Sequence, residues 1–173
     1  MAPPRSLRGI RTDVYQGLRK LILTQPPAAV GIAPRAPLKS VWGALVEIGL
    51  EDGCVTFVSL ADGTTSMYTS TGGGAIGAGQ HEGPANASRH LLVELQAQLD
   101  LFPPAEACPL PGPDMVAFVV LTYNGIHRTE SSQARLADPK GPLHLLWVAA
   151  NSVITEIRLQ ETARRHQENS GGR

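Results

Sequence analysis

Two Asp-Gly pairs ten residues apart, Asp52-Gly53 and Asp62-Gly63, constrain this chain more than any other feature. Each separates β-rich runs, about Val41–Leu50, Cys54–Leu60 and Thr64–Ser70. A tight hairpin needs residues that accept positive φ, and Asp-Gly supplies them, so residues 41–70 are expected to form a three-stranded antiparallel meander. Taken as two-residue turns, the pairs set Ile48 opposite Phe57 and Phe57 opposite Tyr68, with Val46, Ser59 and Ser66 in the next row. The other side then carries Leu45, Leu60 and Thr65, followed by Glu47, Val58 and Met67. Strict alternation gathers Trp42, Ala44, Val46, Ile48, Leu50, Val55 and Phe57 on one face, the expected core face. The opposite face is half apolar, which leaves surface for a partner.

The remaining elements follow from periodicity and breakers. Thr12 or Asp13 caps a helix to about Thr24, with Val14, Leu18, Leu21 and Ile22 on one face and Arg19 and Lys20 outside. Gln25-Pro26-Pro27 stops it, and residues 25–40 read as an extended Pro/Ala linker. Leu91, Leu92, Leu95 and Leu99 recur at helical spacing within 84–101. A Pro-rich connector, 103–113, leads into the apolar run Met115–Tyr123, expected as a central strand, and Asn124-Gly125 turns the chain back through Ile126–Ser131. Gly141-Pro142 opens a last helix to about His166, with Leu143, Leu146, Trp147, Ala150, Val153, Ile154 and Ile157 as its apolar stripe.

The order α-βββ-α-ββ-α defines an α+β domain: five mostly antiparallel strands in two layers, with helices packed on one face and a sheet order of 3-2-1-5-4. The element count resembles the roadblock, longin and profilin group of small modules, in which helices flank a five-stranded antiparallel sheet. In that group two strands commonly precede the middle helix and three follow, the reverse of the order here. The expected organisation is a basic tail at 1–11, a helix and Pro-rich linker at 12–40, one α+β domain at 41–167 and a tail at 168–173.

With 173 residues, the chain is long enough to bury a single core. Its 17% charged fraction, 18 Gly and 14 Pro indicate a loop-rich globular protein. The formal net charge is zero, which speaks against specific nucleic-acid binding, since phosphate affinity scales with the cations offered. Charge is nevertheless uneven: Arg5, Arg8, Arg11, Arg19, Lys20, Arg35 and Lys39 face only Asp13 within residues 1–40. Such a basic arm reads first as a solvated helix with a loose tail; otherwise it suits an anionic surface or the acidic remainder of the chain. No apolar run reaches the ~20 residues of a membrane span, and no signal-peptide core opens the chain. Cys54 and Cys108 lack C-x-x-C spacing and read as reduced thiols of a cytoplasmic protein.

The candidate binding residues lie in the glycine-dense stretch after the meander: Ser70, Thr71, Gly72, Gly73, Gly74, Gly77, Gly79 and His81. Gly72 to Gly77 satisfies G-x-G-x-x-G, but a dinucleotide site needs that motif in a parallel β-α unit. Gly74 to His81 resembles a P-loop frame with Gln80 and His81 where Lys and Ser or Thr are required. A looser nest of glycine amides for a phosphoanion is a functional reading; a strand bending tightly into a helix is the structural one. On the structural reading the loop is ordered, anchored by Ile76 in apolar surroundings, with at least one glycine at positive φ and no room for a side chain.

His81-Glu82, His90, His127, His144 and His166 are scattered without metal-ligand spacing, so no metal or cofactor is assigned. His127 is expected as a hydrogen-bonded surface residue opposite Thr122, and Trp42 and Trp147 as core anchors. No G-x-S-x-G is present, and neither cysteine has a histidine nearby in sequence, so no catalytic residue is assigned. The sequence therefore points to a non-enzymatic interaction or regulatory module that pairs with a protein partner or itself, as a homodimer through its sheet or an outer helix. The alternative is a small-ligand or phosphoanion-binding protein, with enzyme activity open, built on Gly72–Gly79.

Overall fold

The computed structural model of the chain describes residues 12–170; the basic arm 1–11 and residues 171–173 lie outside the described residues. Among the described residues, helix α1 (Thr12–Thr24) precedes strands β1 (Val41–Leu50), β2 (Gly53–Leu60), β3 (Thr65–Thr69) and β4 (Gly74–Ala75). Helix α2 (Glu82–Ala97), strands β5 (Met115–Thr122) and β6 (Gly125–Ser132), and helices α3 (Gln133–Ala137) and α4 (His144–Ser170) complete it. The strands form one antiparallel sheet in the order β4-β3-β2-β1-β5-β6.

The α+β class and the meander hold, and the differences have local causes. The expected strand order 3-2-1-5-4 put the final strand beside the first. Instead β5, buried along nearly its whole length, pairs with β1, and the polar β6 (GIHRTESS) takes the edge. A strand buried on both faces needs neighbours on both sides, and β6 has no apolar face to offer. Thr122 pairs with Gly125, so Tyr123-Asn124 form that turn in place of Asn124-Gly125, and His127 lies opposite Val120, not Thr122, with its Nδ1 2.7 Å from the Phe102 carbonyl oxygen. Helix α3 and strand β4 were not expected, and residues 168–170 continue α4 where a tail was expected.

The two hairpins close differently from the two-residue Asp-Gly turns. Leu50 pairs with Gly53, so Glu51-Asp52 form the first turn and the register slips by two residues. An even slip leaves every side chain on its expected face: Ile48 faces Val55 and Val46 faces Phe57. The second loop has three residues, closed by Leu60 N–H to the Thr64 carbonyl at 2.9 Å, with Gly63 at φ 93°. That odd slip pairs Phe57 with Met67 and exchanges the faces of Met67 and Tyr68. A bulge between Val41 and Gly43 likewise turns Trp42 to the second face, where its indole Nε1 donates to the Thr122 carbonyl at 3.2 Å.

Helices cover both faces, which makes three layers instead of two. On one face α2 and α4 pack Leu91, Leu92, Leu95, Leu146, Val153 and Ile157 against Val46, Phe57, Phe118 and Val120. A buried hydroxyl chain, Ser59–Ser88–Thr65 at 2.8 and 2.7 Å, ties α2 to β2 and β3. On the other face lie Tyr15 of α1, Ile32 of the linker and Cys108 of the 103–113 connector, around Trp42, Leu45, Val58, Leu60, Tyr68 and Val119. The half-apolar second face expected to await a partner is thus occupied by the chain itself. Both sheet edges are also short or screened. β4 has two residues, and Pro103–Ala105 bonds to the outer edge of β6 through Arg128 N–H and the Ile126 carbonyl.

Candidate functional site

The glycine stretch is an ordered turn, and several of its polar groups bond within the chain. Ser70 Oγ accepts from Cys54 N–H at 2.8 Å, and Thr69 Oγ1 donates to the Gly72 carbonyl at 2.6 Å. Thr71 is exposed, with its hydroxyl 3.5 Å from that of Thr69. Gly72 N–H returns to Thr69, the Gly73 carbonyl accepts from Thr69 N–H, and Gly77 N–H donates to Ser66 Oγ. Gly74 pairs with Tyr68 in the ladder at φ 151°, where a Cβ would fall on the Met67 carbonyl oxygen. Gly79 is pressed against the backbone of Gly63 and Thr65, and His81 is the exposed residue that precedes α2. The structure therefore brings Ser70 to His81 into one tight bend without aiming the amides of Gly72 and Gly77 at a common point. Ile76 is not the buried anchor expected: it is 53% exposed, and Ala75 and Ala78 carry the packing. Its methyls border a small apolar cleft of about 80 Å³ between α1 and β3.

A second constellation, not assigned from the sequence, lies under α1. Glu47 on β1 is fully buried, and Arg19, expected outside, grips it through Nε–Oε1 at 2.6 Å and Nη2–Oε2 at 2.9 Å. Nη2 also donates to the Cys108 carbonyl at 2.5 Å. Thr56 Oγ1 donates to Glu47 Oε1 at 3.2 Å, so Tyr15 must be the donor in its 2.8 Å bond to Thr56. The hydrogen bond to Glu47 raises the Arg19 pKa further, keeping the guanidinium charged. Burial pushes the Cys54 and Cys108 thiols and the Tyr15 and Tyr68 phenols up, so all four are held neutral. The cluster's chemistry is that of a clasp fastening α1 and the connector to the sheet. The signal for it was a lone Glu in an otherwise apolar strand, VWGALVEIGL, on the face that also carries Val58.

The third feature is the outward side of α4. Leu146, Ala149, Ala150, Val153 and Ile157 face the core, while Leu145 (63% exposed), Val148 (49%) and Leu159 (58%) face out. With Ser152, Thr155 and Thr162, all exposed, they form a row at alternating three- and four-residue spacing. The hydroxyls of Ser152 and Thr162 donate to the Val148 and Arg158 carbonyls of the same helix at 3.1 and 2.9 Å. The row therefore presents methyl and methylene surface, with the hydroxyls of Ser152 and Thr162 already bonded to the helix. A groove of about 580 Å³, lined by Ala137, His144, Trp147 and Asn151 among others, runs beside it.

Among the described residues, no group of three or more His, Cys, Asp and Glu side chains is arranged to hold a metal, and no helix is long and apolar enough to cross a membrane. Compared with protein-family models, curated proteins and solved structures, the chain matches none.

Proposed function

We propose that this protein is a non-enzymatic interaction module that self-associates through the outward face of α4. The observation that carries the reading is the row Leu145, Val148 and Leu159: three large apolar side chains, about half exposed or more, on one stripe of a 27-residue helix. Sheet-mediated pairing is disfavoured by the covered faces and screened edges, which leaves the outer-helix mode.

The stripe is self-complementary. Laid antiparallel about a two-fold axis between Val153 and Ile154, it sets Val148 against the partner copy's Leu159, Leu145 against its Thr162, and Ser152 against its Thr155. Small residues at the centre allow close approach, and the bonded hydroxyl of Ser152 costs little to bury. A seam of this size falls at the small end of specific interfaces, so association in the micromolar range is expected. The free thiols Cys54 and Cys108 fit a reducing, cytoplasmic setting for such a module.

Sedimentation equilibrium on the full chain tests it. Self-association to a dimer should appear at tens to hundreds of micromolar and disappear in Leu159→Lys and Val148→Lys, whose melting temperatures stay near wild type. A wild type that stays monomeric throughout would sink the proposal.

A further inference from the structure

A second site lies away from α4, in a groove between the linker and α2. Ile32 is anchored in the core under α1 and Leu38 in the opposite core, so residues 33–37 arch over the surface between two fixed points. Arg35 N–H donates to the Leu38 carbonyl at 3.1 Å and closes the arch. Beneath it is a groove of about 430 Å³ whose walls include Ile32, Pro37, Leu38, Ala61 and Val93.

Two arginines from separate elements line the same groove, Arg35 from the arch and Arg89 from α2. Arg89 is positioned from two sides. Its Nη1 donates to Asn86 Oδ1 at 3.0 Å, and its Nη2 rests over Gly63, where an added Cβ would come within 2.8 Å of it. Among the described residues neither guanidinium is engaged in an ion pair. The one carboxylate of the groove, Asp62, accepts Thr64 N–H through Oδ1 at 2.9 Å and keeps its charge, so the two arginines leave the groove net positive. A groove with aliphatic walls and two arginines suits an anion with an apolar body, because guanidinium matches a carboxylate in a planar, two-bond geometry.

We infer that this groove binds a small apolar-bodied carboxylate, its carboxylate between Arg35 and Arg89 and its hydrocarbon against Leu38 and Val93. The observation behind it is independent of α4, so either proposal stands or falls alone.

The test is amide NMR titration of the full chain with octanoate, with octylamine and inorganic phosphate as separate probes. Octanoate should shift amides within 31–38, 61–63 and 89–93 in a saturable manner, while octylamine and phosphate leave them in place. Arg35→Gln/Arg89→Gln should weaken octanoate at least tenfold with the melting temperature retained. Ala33→Glu, at an exposed position on the arch, should weaken it comparably and serves if the double variant does not fold. No saturable shift at 10 mM octanoate overturns the inference. So does an equal response to octylamine or to phosphate, or octanoate binding indifferent to Arg35→Gln/Arg89→Gln and Ala33→Glu.

Discussion

Replacing Arg19 by Met strands a carboxylate in the second core. Glu47 is fully buried, and Arg19 supplies two of its three hydrogen bonds, at 2.6 and 2.9 Å. What remains is the single 3.2 Å bond from Thr56, too little to solvate a charge. Breaking one side of a buried, bidentate pair costs about 3–5 kcal/mol. The same guanidinium also bonds the Cys108 carbonyl, so its loss frees the connector and favours the upper half of that range. At this chain length each kcal/mol lowers the melting temperature by roughly 2–4 °C, so a fall of about 6–20 °C is expected by calorimetry. Urea melts of Arg19→Met, Glu47→Leu and the double variant complete a cycle. Arg19→Met/Glu47→Leu should recover to within about 2 kcal/mol of wild type, since a buried pair exchanged for hydrocarbon is often near neutral. An Arg19→Met cost below about 1 kcal/mol would refute the reasoning, because it is the value of a solvated surface pair.

Other outcomes follow from single positions. Gly74→Val forces a side chain onto the Met67 carbonyl at φ 151° and should destabilise by roughly 1–3 kcal/mol in urea melts; an unchanged midpoint would mean that the bend yields freely. Tyr68 Oη is buried without a hydrogen-bond partner among the described residues, so Tyr68→Phe should be neutral or stabilising by up to ~1 kcal/mol near pH 7. Burial raises the folded-state pKa of Tyr68 and Cys54, so the unfolded chain gives up these protons first as pH rises. Their stability is fully present below about pH 8.5. Above the unfolded-state values, near 8.5 for Cys and 10 for Tyr, it falls by up to ~1.4 kcal/mol per pH unit and group. Tyr68→Phe should flatten that decline only above pH 10, and an unchanged slope there would contradict the assignment.

The meander, the middle helix and the α4 stripe were legible because period-two and period-3.6 patterns, with Asp-Gly and Asn-Gly between them, are local properties. Hairpin register was not, since a loop of two or three residues around Asp62-Gly63 differs by one hydrogen bond yet decides whether Tyr68 or Met67 faces α2. Trp42 was misplaced for a related reason: a bulge is set by the partner strand, here β5, about eighty residues away. The clasp under α1 was half visible in Glu47, but its partner Arg19 sits on a helix whose docking face could be ranked only by hydrophobicity. That ranking favoured Val14 and Leu21, both exposed, over Tyr15, the residue that anchors the helix. The glycine stretch was correctly legible as a place where side chains collide. Which of its amides are engaged was not legible, because the acceptors of Gly72 and Gly77, on Thr69 and Ser66, belong to the strand beside it.

The self-association claim is tested most directly by nuclear Overhauser contacts between copies. Chains with labelled methyl groups are mixed with unlabelled chains, and only contacts crossing from one copy to the other are recorded. Val148 and Leu159 are eleven residues apart on α4, about 16 Å along the helix axis, too far for a contact within one chain. The antiparallel seam predicts a Val148–Leu159 contact between copies, lost in Leu145→Lys through dissociation. A self-associated sample that shows copy-to-copy contacts only elsewhere, or a concentrated sample that shows none, would contradict the account.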